Sequence, residues 1–596
     1  MKTKNLKFGI IGVLLIVSIF LKAQNINVEQ RLQGIDQKIE KILKDWNVPG
    51  CGIGIVYKDK LVFAKGYGYR NLEKKQPVTP NTLFQIASNT KLFTATAIGF
   101  LVEEGKLEWD KPIKKSVPQI QFYNDNLDAN VTIRDMLSHR TGISRHDGIW
   151  YKSDFTRQEL FDRLKYLEPS LPLRSGYLYN NLMYAASGHI VEILSGKTWE
   201  TFTSEKIFSP LNMSNSMFVV EDMQKQADFM APYYEKRDTN ILLPFPFYTK
   251  QQGLGPAGSI ISNINDLSNW LIAQMNGGKF KDKQVIPLSI IKETMQPASI
   301  TASVPDKYYE NMNAVYGMGR GSSIYKGHYR VQHTGAIGGI YSHISLMLPD
   351  SIGVIVFTNG AHAGGLPSII ANIVYDQVLQ LDATPWSDRS LKDYIKRKMT
   401  DKEARQKPDI DRVPNTKPSH ALADYAGIYE DAAYGKMEIN YKNDNLSFTF
   451  NNTTLPLSHY HYDRFQSSDD EIDGKWTLRF GLDAQGSVQQ VMVSMDEKEV
   501  IFNKKAEAKL SDPNFLKNLA GLYELDGNTT EIILTGKELM IKGAPPQHLE
   551  PYKGNSFKIR EFSDQLVEFV FDARNTIPTG FKVTYDGKSV FFNRKK

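Results

Sequence analysis

QIASNTKLFTA (85–95) places Ser88 three residues ahead of Lys91, at the entrance to the apolar run LFTATAIGFL. Two readings are open. The polar entrance is a helix cap followed by a packed face. Alternatively, Ser88 is a nucleophile and Lys91, on the same helix face one turn later, takes its proton. Ser-x-x-Lys recurs at Ser289/Lys292 and Ser323/Lys326, about two or three matches being what chance gives at ordinary composition. Context separates them: Ser88 alone follows a strand-like run (TLFQIA) and opens a mostly apolar helix that Gly105 is expected to stop. A helix N-terminus offers N–H groups and a positive dipole end where an acyl oxyanion forms. Lys91 acts as a base only when neutral, which burial and nearby positive charge favour.

Working outward, the chemistry needs a group to pass the proton to the leaving group. RSGYLYNNLMYAASGHIVEIL sets Tyr179-Asn180-Asn181 in a loop just before an amphipathic helix, although Tyr-x-Asn also occurs at Tyr309 and Tyr441. An edge strand giving a second oxyanion N–H is expected in VQHTGAIGGIYSHISLMLPD, where His333-Thr334-Gly335 leads into a hairpin turning at Pro349-Asp350-Ser351. Its glycines let a substrate approach the backbone closely. His362-Ala363-Gly364 falls after that hairpin. VEQRLQGIDQKIEKILKDW (28–46) has helical apolar spacing, CGIGIVYKDKLVFAKGYGYRN reads as a hairpin across Lys58-Asp59-Lys60, and 366–381 as an amphipathic helix. Helices and strands at both ends predict one α+β or α/β domain over 28–383, with its pocket walls largely in 220–255 and 296–330.

Residues 384–421 are charged and proline-bearing and read as a linker with an exposed helix around Leu391–Arg405. Beyond it lies an internal repeat. Ala426-Gly427-Ile428-Tyr429 returns as Ala520-Gly521-Leu522-Tyr523, Glu438-Ile439 as Glu531-Ile532, Phe465 as Phe557, Phe480 as Phe571 and VIFNKK as VFFNRK, at offsets of 90 to 94. Short β-rich runs between Gly, Asn and Asp predict two antiparallel β units, 422–506 and 512–596, either separate barrels or halves of one.

At the other end, Lys2, Lys4 and Lys7 precede the apolar run Phe8–Leu21, and Ala23 stands before Gln24. This is a secretory signal pattern over 1–23, and a secreted or periplasmic protein is expected. The rival is a membrane anchor, but 14 residues rise only about 21 Å as a helix against a hydrocarbon core of about 30 Å. Removing 1–23 leaves 68 basic against 66 acidic residues, a balance of +2, with no electrostatic reason to expect nucleic acid. The single cysteine, Cys51, excludes an intrachain disulfide and a multi-cysteine zinc site; neither a metal nor another cofactor is expected.

With these motifs in order, residues 45–380 resemble the serine β-lactamase-like, penicillin-binding hydrolases of the class C type, a grouping with esterases and D-aminopeptidases. VPGCGIGIVYKDKLVFAKGYG, DMLSHRTGI (135–143), GPAGSIISNINDLSNWL, YGMGR and PDSIGVIVFTNG carry the resemblance alongside Ser88-x-x-Lys91 and Tyr179-x-Asn181. It implies an α/β (α+β) catalytic domain with an antiparallel sheet and helices. By the same resemblance Ser88 is the acylated nucleophile, Lys91 its base, Tyr179 the proton shuttle and Asn181 a ligand of the substrate carbonyl. The oxyanion hole then uses the N–H groups of Ser88 and Ala336, beside His333, Thr334 and Gly335. The third motif begins with His333 where β-lactamases and DD-peptidases of this type have lysine. A histidine is mostly neutral at pH 7, which turns the expectation toward the esterase and D-aminopeptidase branches, with a β-lactamase or DD-peptidase as alternative. His139 and Thr141 are expected to fix a loop. The C-terminal units resemble β-barrels that follow such domains and can narrow access to the site. The expected partner is a small-molecule or peptide substrate, with no nucleic acid and no stable membrane anchor; the sequence gives no oligomeric state. A reading of another class is a non-catalytic cell-wall or glycan-binding protein on a hydrolase scaffold.

Overall fold

The computed structural model describes residues 27–249, 253–302, 308–407, 409–495, 498–573, 576–585 and 587–595. The segment 1–23, where a signal is expected, lies outside them. The first hairpin pairs Gly50–Tyr57 with Lys60–Asn71, turning at Lys58 with φ 57°. Its first strand is buried on both faces and continues by antiparallel pairing into Ile352–Thr358, with Cys51 opposite Thr358 and Tyr57 opposite Ile352. Nine strands result, in the order Ser299–Ala302, Asn311–Tyr316, Gly321–Tyr325, His328–Ile337, Ile340–Met347, Ile352–Thr358, Gly50–Tyr57, Lys60–Asn71, Gln76–Pro77. The whole sheet is antiparallel.

Helices cover both faces. Ile35–Asp45 and Leu366–Val378 share one core with the sheet, and Trp46 and Trp386 close it. The helix expected over 28–46 is broken at Gly34 (φ 78°), leaving Val28–Arg31 as a separate turn. The helix expected around 391–405 starts earlier, at Trp386, and runs to Gln406. Its Trp386 indole donates to Asp376 at 3.0 Å and its Tyr394 stacks on Trp46, so its first turns are packed rather than exposed. On the other face lies Thr90–Glu103, apolar all round and buried at eleven positions, as a helix without a polar face must be.

The C-terminal repeat forms two separate closed barrels of eight antiparallel strands, from Gly427–Asp431 to Lys498–Lys504 and from Gly521–Leu525 to Lys588–Arg594. Closure falls at matched places, Tyr429 opposite Lys504 and Tyr523 opposite Arg594. The pairing of Phe480 with Phe571 is corrected: Phe465 faces Leu478 and Phe557 faces Val567, so Phe480 corresponds to Phe569. Phe571 lies past the end of that strand. The two phenylalanines sit alike against the closure tyrosines, 6.1 Å from Tyr429 and 6.2 Å from Tyr523. The first barrel shares a continuous apolar core with the domain before it, whereas the second has a core of its own.

Candidate active site

The Ser88 turn is held before its chemistry begins. Phe84–Gln85 pairs with Ile261–Ser262, and the Ile86 N–H donates to Ile260 O at 2.9 Å. Ala87 then takes φ 50°, a left-handed conformation that a non-glycine residue adopts at a cost. It swings Ser88, half-buried, out of the strand into a 3₁₀ turn ahead of Thr90–Glu103. Ser342 Oγ ties the turn to the sheet, donating to Ile86 O at 2.8 Å and accepting from Asn89 Nδ2 at 2.9 Å.

Lys91 is fully buried. Its Nζ lies 2.7 Å from Asn181 Oδ1, 2.9 Å from Ala257 O and 3.1 Å from Ser88 Oγ. The Asn181 amide is oriented by Asp147, whose carboxylate accepts from Nδ2 at 3.1 Å, so Oδ1 faces the lysine. Two of the three lysine partners are therefore obligatory acceptors. A neutral amine has two N–H groups for them and keeps its lone pair for the Ser88 hydroxyl. Burial drives Lys91 well below the ordinary lysine pKa; Asp147 opposes the shift and Arg145 adds to it.

Tyr179 and Asn181 flank Asn180, which caps Asn181–Ser195 by accepting from the Met183 N–H at 3.2 Å. The Asn180 N–H donates to His139 Nδ1 at 3.1 Å, and the His139 ring packs 4.3 Å from that of Tyr179. His139 thus fixes the loop. Burial raises the Tyr179 pKa, with an opposing hydrogen bond to Ser88, so it stands beside the nucleophile as a neutral phenol. Lys91 Nζ lies 4.8 Å and the Arg145 guanidinium 5.2 Å from its ring.

His333–Ala336 lie on His328–Ile337, an interior strand rather than the edge strand expected. The reason the site still meets an open edge is length: Gly321–Tyr325 stops at Gly321 opposite Gln332, so 333–337 pair on one side only. Their other side faces the Ser88 turn, where a Cβ at Gly335 would lie 2.2 Å from Ile86 O. The second glycine of YGMGR has a similar cause, since a Cβ at Gly319 would lie 2.8 Å from the Leu92 backbone. Thr334 and Ala336 are exposed toward the cleft and Gly335 is buried.

Desolvation favours neutral His333, and its hydrogen bonds fix which nitrogen carries the proton. Its Nδ1 lies 2.6 Å from Thr334 O, which only accepts, so Nδ1 carries the proton; Nε2 then accepts from Tyr316 Oη at 2.9 Å. Desolvation and the nearby Lys91 take its pKa to about 4, against the bond to Thr334. Among the described residues no group of three or more His, Cys, Asp or Glu is placed to hold a metal ion, and no helix is long and apolar enough to cross a membrane.

A serine, a buried lysine, a phenol and an asparagine thus converge beside an open strand edge. The Beta-lactamase family model matches residues 35–373. The chain belongs to that family. It is a serine hydrolase of the β-lactamase-like type, and the first barrel lies within a match to a domain of unknown function, DUF3471, over 411–504. Among curated relatives, "Unguisins hydrolase ungD" of Aspergillus violaceofuscus (strain CBS 115571) is 26% identical over 438 residues, 68% of this chain and 76% of that protein. "Protein flp" of Staphylococcus aureus (strain N315) is 27% identical over 336 residues, 55% of this chain and 63% of its own length. The octameric penicillin-binding protein homologue from Pyrococcus abyssi shares the fold, with a TM-score of 0.51, 24% identity, and coverage of 80% of this chain and 100% of that one.

Several residues at the site carry no sequence signal. Asp147 and Arg145 sit in a turn with no motif, and Tyr316 reaches His333 from a strand that only the sheet order brings near. Tyr248, from the expected wall 220–255, stacks on Tyr151 at 5.4 Å and accepts from the Lys152 N–H at 3.2 Å. The turn is also where the first barrel attaches. Tyr434 Oη lies 2.8 Å from His146 Nδ1, Asn451 donates to Gly148 O at 2.6 Å, Asn452 to Lys152 O at 2.8 Å, and Asp473 pairs with Lys152.

Proposed function

We propose that this protein is a secreted hydrolase that cleaves an ester or amide through a Ser88 acyl-enzyme. Ser88 Oγ attacks the carbonyl carbon as its proton passes to neutral Lys91; the oxyanion is held by the N–H groups of Ser88 and Ala336. Tyr179 gives a proton to the departing nitrogen or oxygen as its bond to carbon breaks. The proton held by Lys91 restores Tyr179; water then adds its oxygen to the acyl carbon as the bond to Ser88 Oγ breaks, releasing the carboxylic acid and returning a proton to Ser88. Asn181 binds the carbonyl of the acyl group, and Thr334 and Gly335 present the strand edge to the substrate. Secretion is supported by the N-terminal pattern of Lys2, Lys4 and Lys7 before Phe8–Leu21.

The observation that carries this reading is the full burial of Lys91 with its Nζ 3.1 Å from Ser88 Oγ, since burial favours the neutral amine that a base must be. His333 favours esters and D-amino-acid amides over β-lactams or free carboxylates: a neutral imidazole with both nitrogens engaged supplies no fixed positive charge there. A curated relative named as a hydrolase supports catalysis over a pure binding role.

The test is intact mass of the mature protein after mixing with a short-chain p-nitrophenyl ester, beside Ser88→Ala. Wild type gives an acyl adduct and nitrophenol, and Ser88→Ala loses on the order of 10³-fold or more of that rate. Equal rates in the two proteins, or no reaction with esters, D-amino acid amides and a penicillin, would sink the reading.

A further inference from the structure

Two hydrogen bonds from the first barrel fall on either side of one residue of the hydrolase domain. Tyr434 Oη lies 2.8 Å from His146 Nδ1, and Asn451 Nδ2 donates to Gly148 O at 2.6 Å. The fit around them is close, since a Cβ at Gly148 would lie 3.2 Å from Tyr434 Cε1 and 3.3 Å from Met495 Sδ. His146 takes φ 48°, a left-handed conformation that persists only where the surroundings hold it. Its imidazole and Tyr434 are both buried, and burial takes the imidazole pKa down to about 4, so this contact is a neutral one. The residue between the two bonds is Asp147.

Both oxygens of that carboxylate are committed. Oδ1 accepts from Asn181 Nδ2 at 3.1 Å and from Trp150 Nε1 at 2.7 Å, and Oδ2 accepts from Arg145 Nε at 2.6 Å. An amide has one donating end and one accepting end. With its NH₂ taken by Asp147, Asn181 turns Oδ1 to Lys91 Nζ at 2.7 Å. Turned the other way, its NH₂ would occupy the lone pair that neutral Lys91 needs for the Ser88 proton, and its oxygen would face a carboxylate. The orientation of Asn181 is thus set by a side chain whose own backbone the barrel holds on both sides.

We propose that the first barrel controls the catalytic base at one remove: by gripping His146 and Gly148 it fixes Asp147, which keeps the Asn181 carbonyl oxygen on Lys91. Asp147 and Tyr434 are positioning residues in this scheme, and neither needs to touch the substrate. The inference rests on the acyl-enzyme reading and adds to it a part of the machinery that lies outside the hydrolase domain. The barrel has other ties to that domain, such as Asp469 with Arg237 at 2.9 Å, which hold the two units together without entering this chain of contacts.

The test compares four variants of the full chain on a short-chain p-nitrophenyl ester. Asp147→Ala frees the amide to turn, and kcat falls on the order of tenfold or more with KM little changed. Asp147→Asn keeps a carbonyl acceptor for Asn181 and recovers most of that loss. It also removes the charge that opposes the shift of Lys91, so the protonated lysine is further disfavoured and the acid limb of the pH profile moves lower. A smaller folded fraction would not move that limb. Tyr434→Phe keeps the ring and loses one hydrogen bond, lowering kcat about threefold or more, whereas Arg237→Gln, which loosens the same barrel elsewhere, stays within about twofold. Hydrogen exchange read by mass spectrometry follows the link without turnover. Tyr434→Phe speeds exchange in peptides covering 144–152 and in those covering 177–184, and Arg237→Gln speeds neither. Faster exchange confined to 144–152, or wild-type kcat in Tyr434→Phe or Asp147→Ala, overturns the proposal. Exchange that spreads from 144–152 into 177–184 upholds it even if no ester turns over and the hydrolase reading fails.

Discussion

The two barrels have the same strands, closure and inner aromatic contacts, yet only the first is built into the hydrolase. Two loops account for the difference. The first hairpin of the first barrel turns through Ala432-Ala433-Tyr434, and its counterpart through Asp526-Gly527, one residue fewer. The extra length carries Tyr434 to His146. Between Ser467 and Thr477 the first barrel has a long connection, where the second joins Ile559 to Phe562 through Arg560-Glu561 alone. That connection brings Asp473 to Lys152, and sends Asp469 and Glu471 to Arg237, whose guanidinium donates to Asp469 at 2.9 and 3.1 Å. The second barrel instead meets the first, through Lys558 and Asp483 at 2.9 Å. A barrel keeps its core and changes its use through its loops.

The contrast breaks most visibly at matched positions in the first hairpins. Gly435 has φ 86°, and a Cβ there would lie 2.7 Å from Phe155 Cζ; its counterpart Asn528 is exposed. Gly435→Val is expected to cost about 3 kcal/mol, from backbone strain plus overpacking, and Asn528→Val about 0.5 kcal/mol or less. Urea unfolding of both variants measures this, and equal costs would mean that the first interface is no tighter than open solvent.

A smaller effect is expected in the pH profile, because the turn the first barrel grips also tunes Lys91. In the proposed mechanism Lys91 works neutral, so kcat/KM is expected to rise as pH rises through its pKa. Arg145 lowers that pKa. Arg145→Gln removes the nearby cation, the protonated lysine is less disfavoured, and the acid limb moves to higher pH on a neutral ester. An acid limb that stays or moves lower would show that Arg145 does not act on the base.

The smallest effect belongs to the second barrel. Ending the chain after Lys505 keeps every strand of the first barrel, and kcat/KM on a small ester should stay within about twofold, as for distant and independent sites. A tenfold loss would show that the second barrel reaches the site through the first.

Much of the site was legible because its pieces are local. Ser88 and Lys91 lie one turn apart, Asn180 caps the helix that begins at Asn181, and the 340–358 hairpin carries its turn in its own residues. The two-barrel repeat was legible from its aromatic and glycine positions, though the drift in offset misplaced one phenylalanine. What the sequence hid is what depends on distance along the chain. Asp147 matters through Asn181, Tyr316 through His333, and the open edge at 333–337 through the shortness of a neighbouring strand. Periodicity does not encode such relations, since each is decided by where another segment ends.

The bonds between the 146–152 turn and the first barrel join residues 288 to 321 positions apart. A ribosome adding about 5–20 residues per second needs about 15–60 s to make that much chain. During that interval Ser88 and Lys91 already exist in the growing polypeptide, but the wall that orients Asn181 has nothing to latch onto. The bracing of that turn therefore arrives late in synthesis. The order of translation thus separates the making of the Ser88 turn from the bracing of the 146–152 turn beside it.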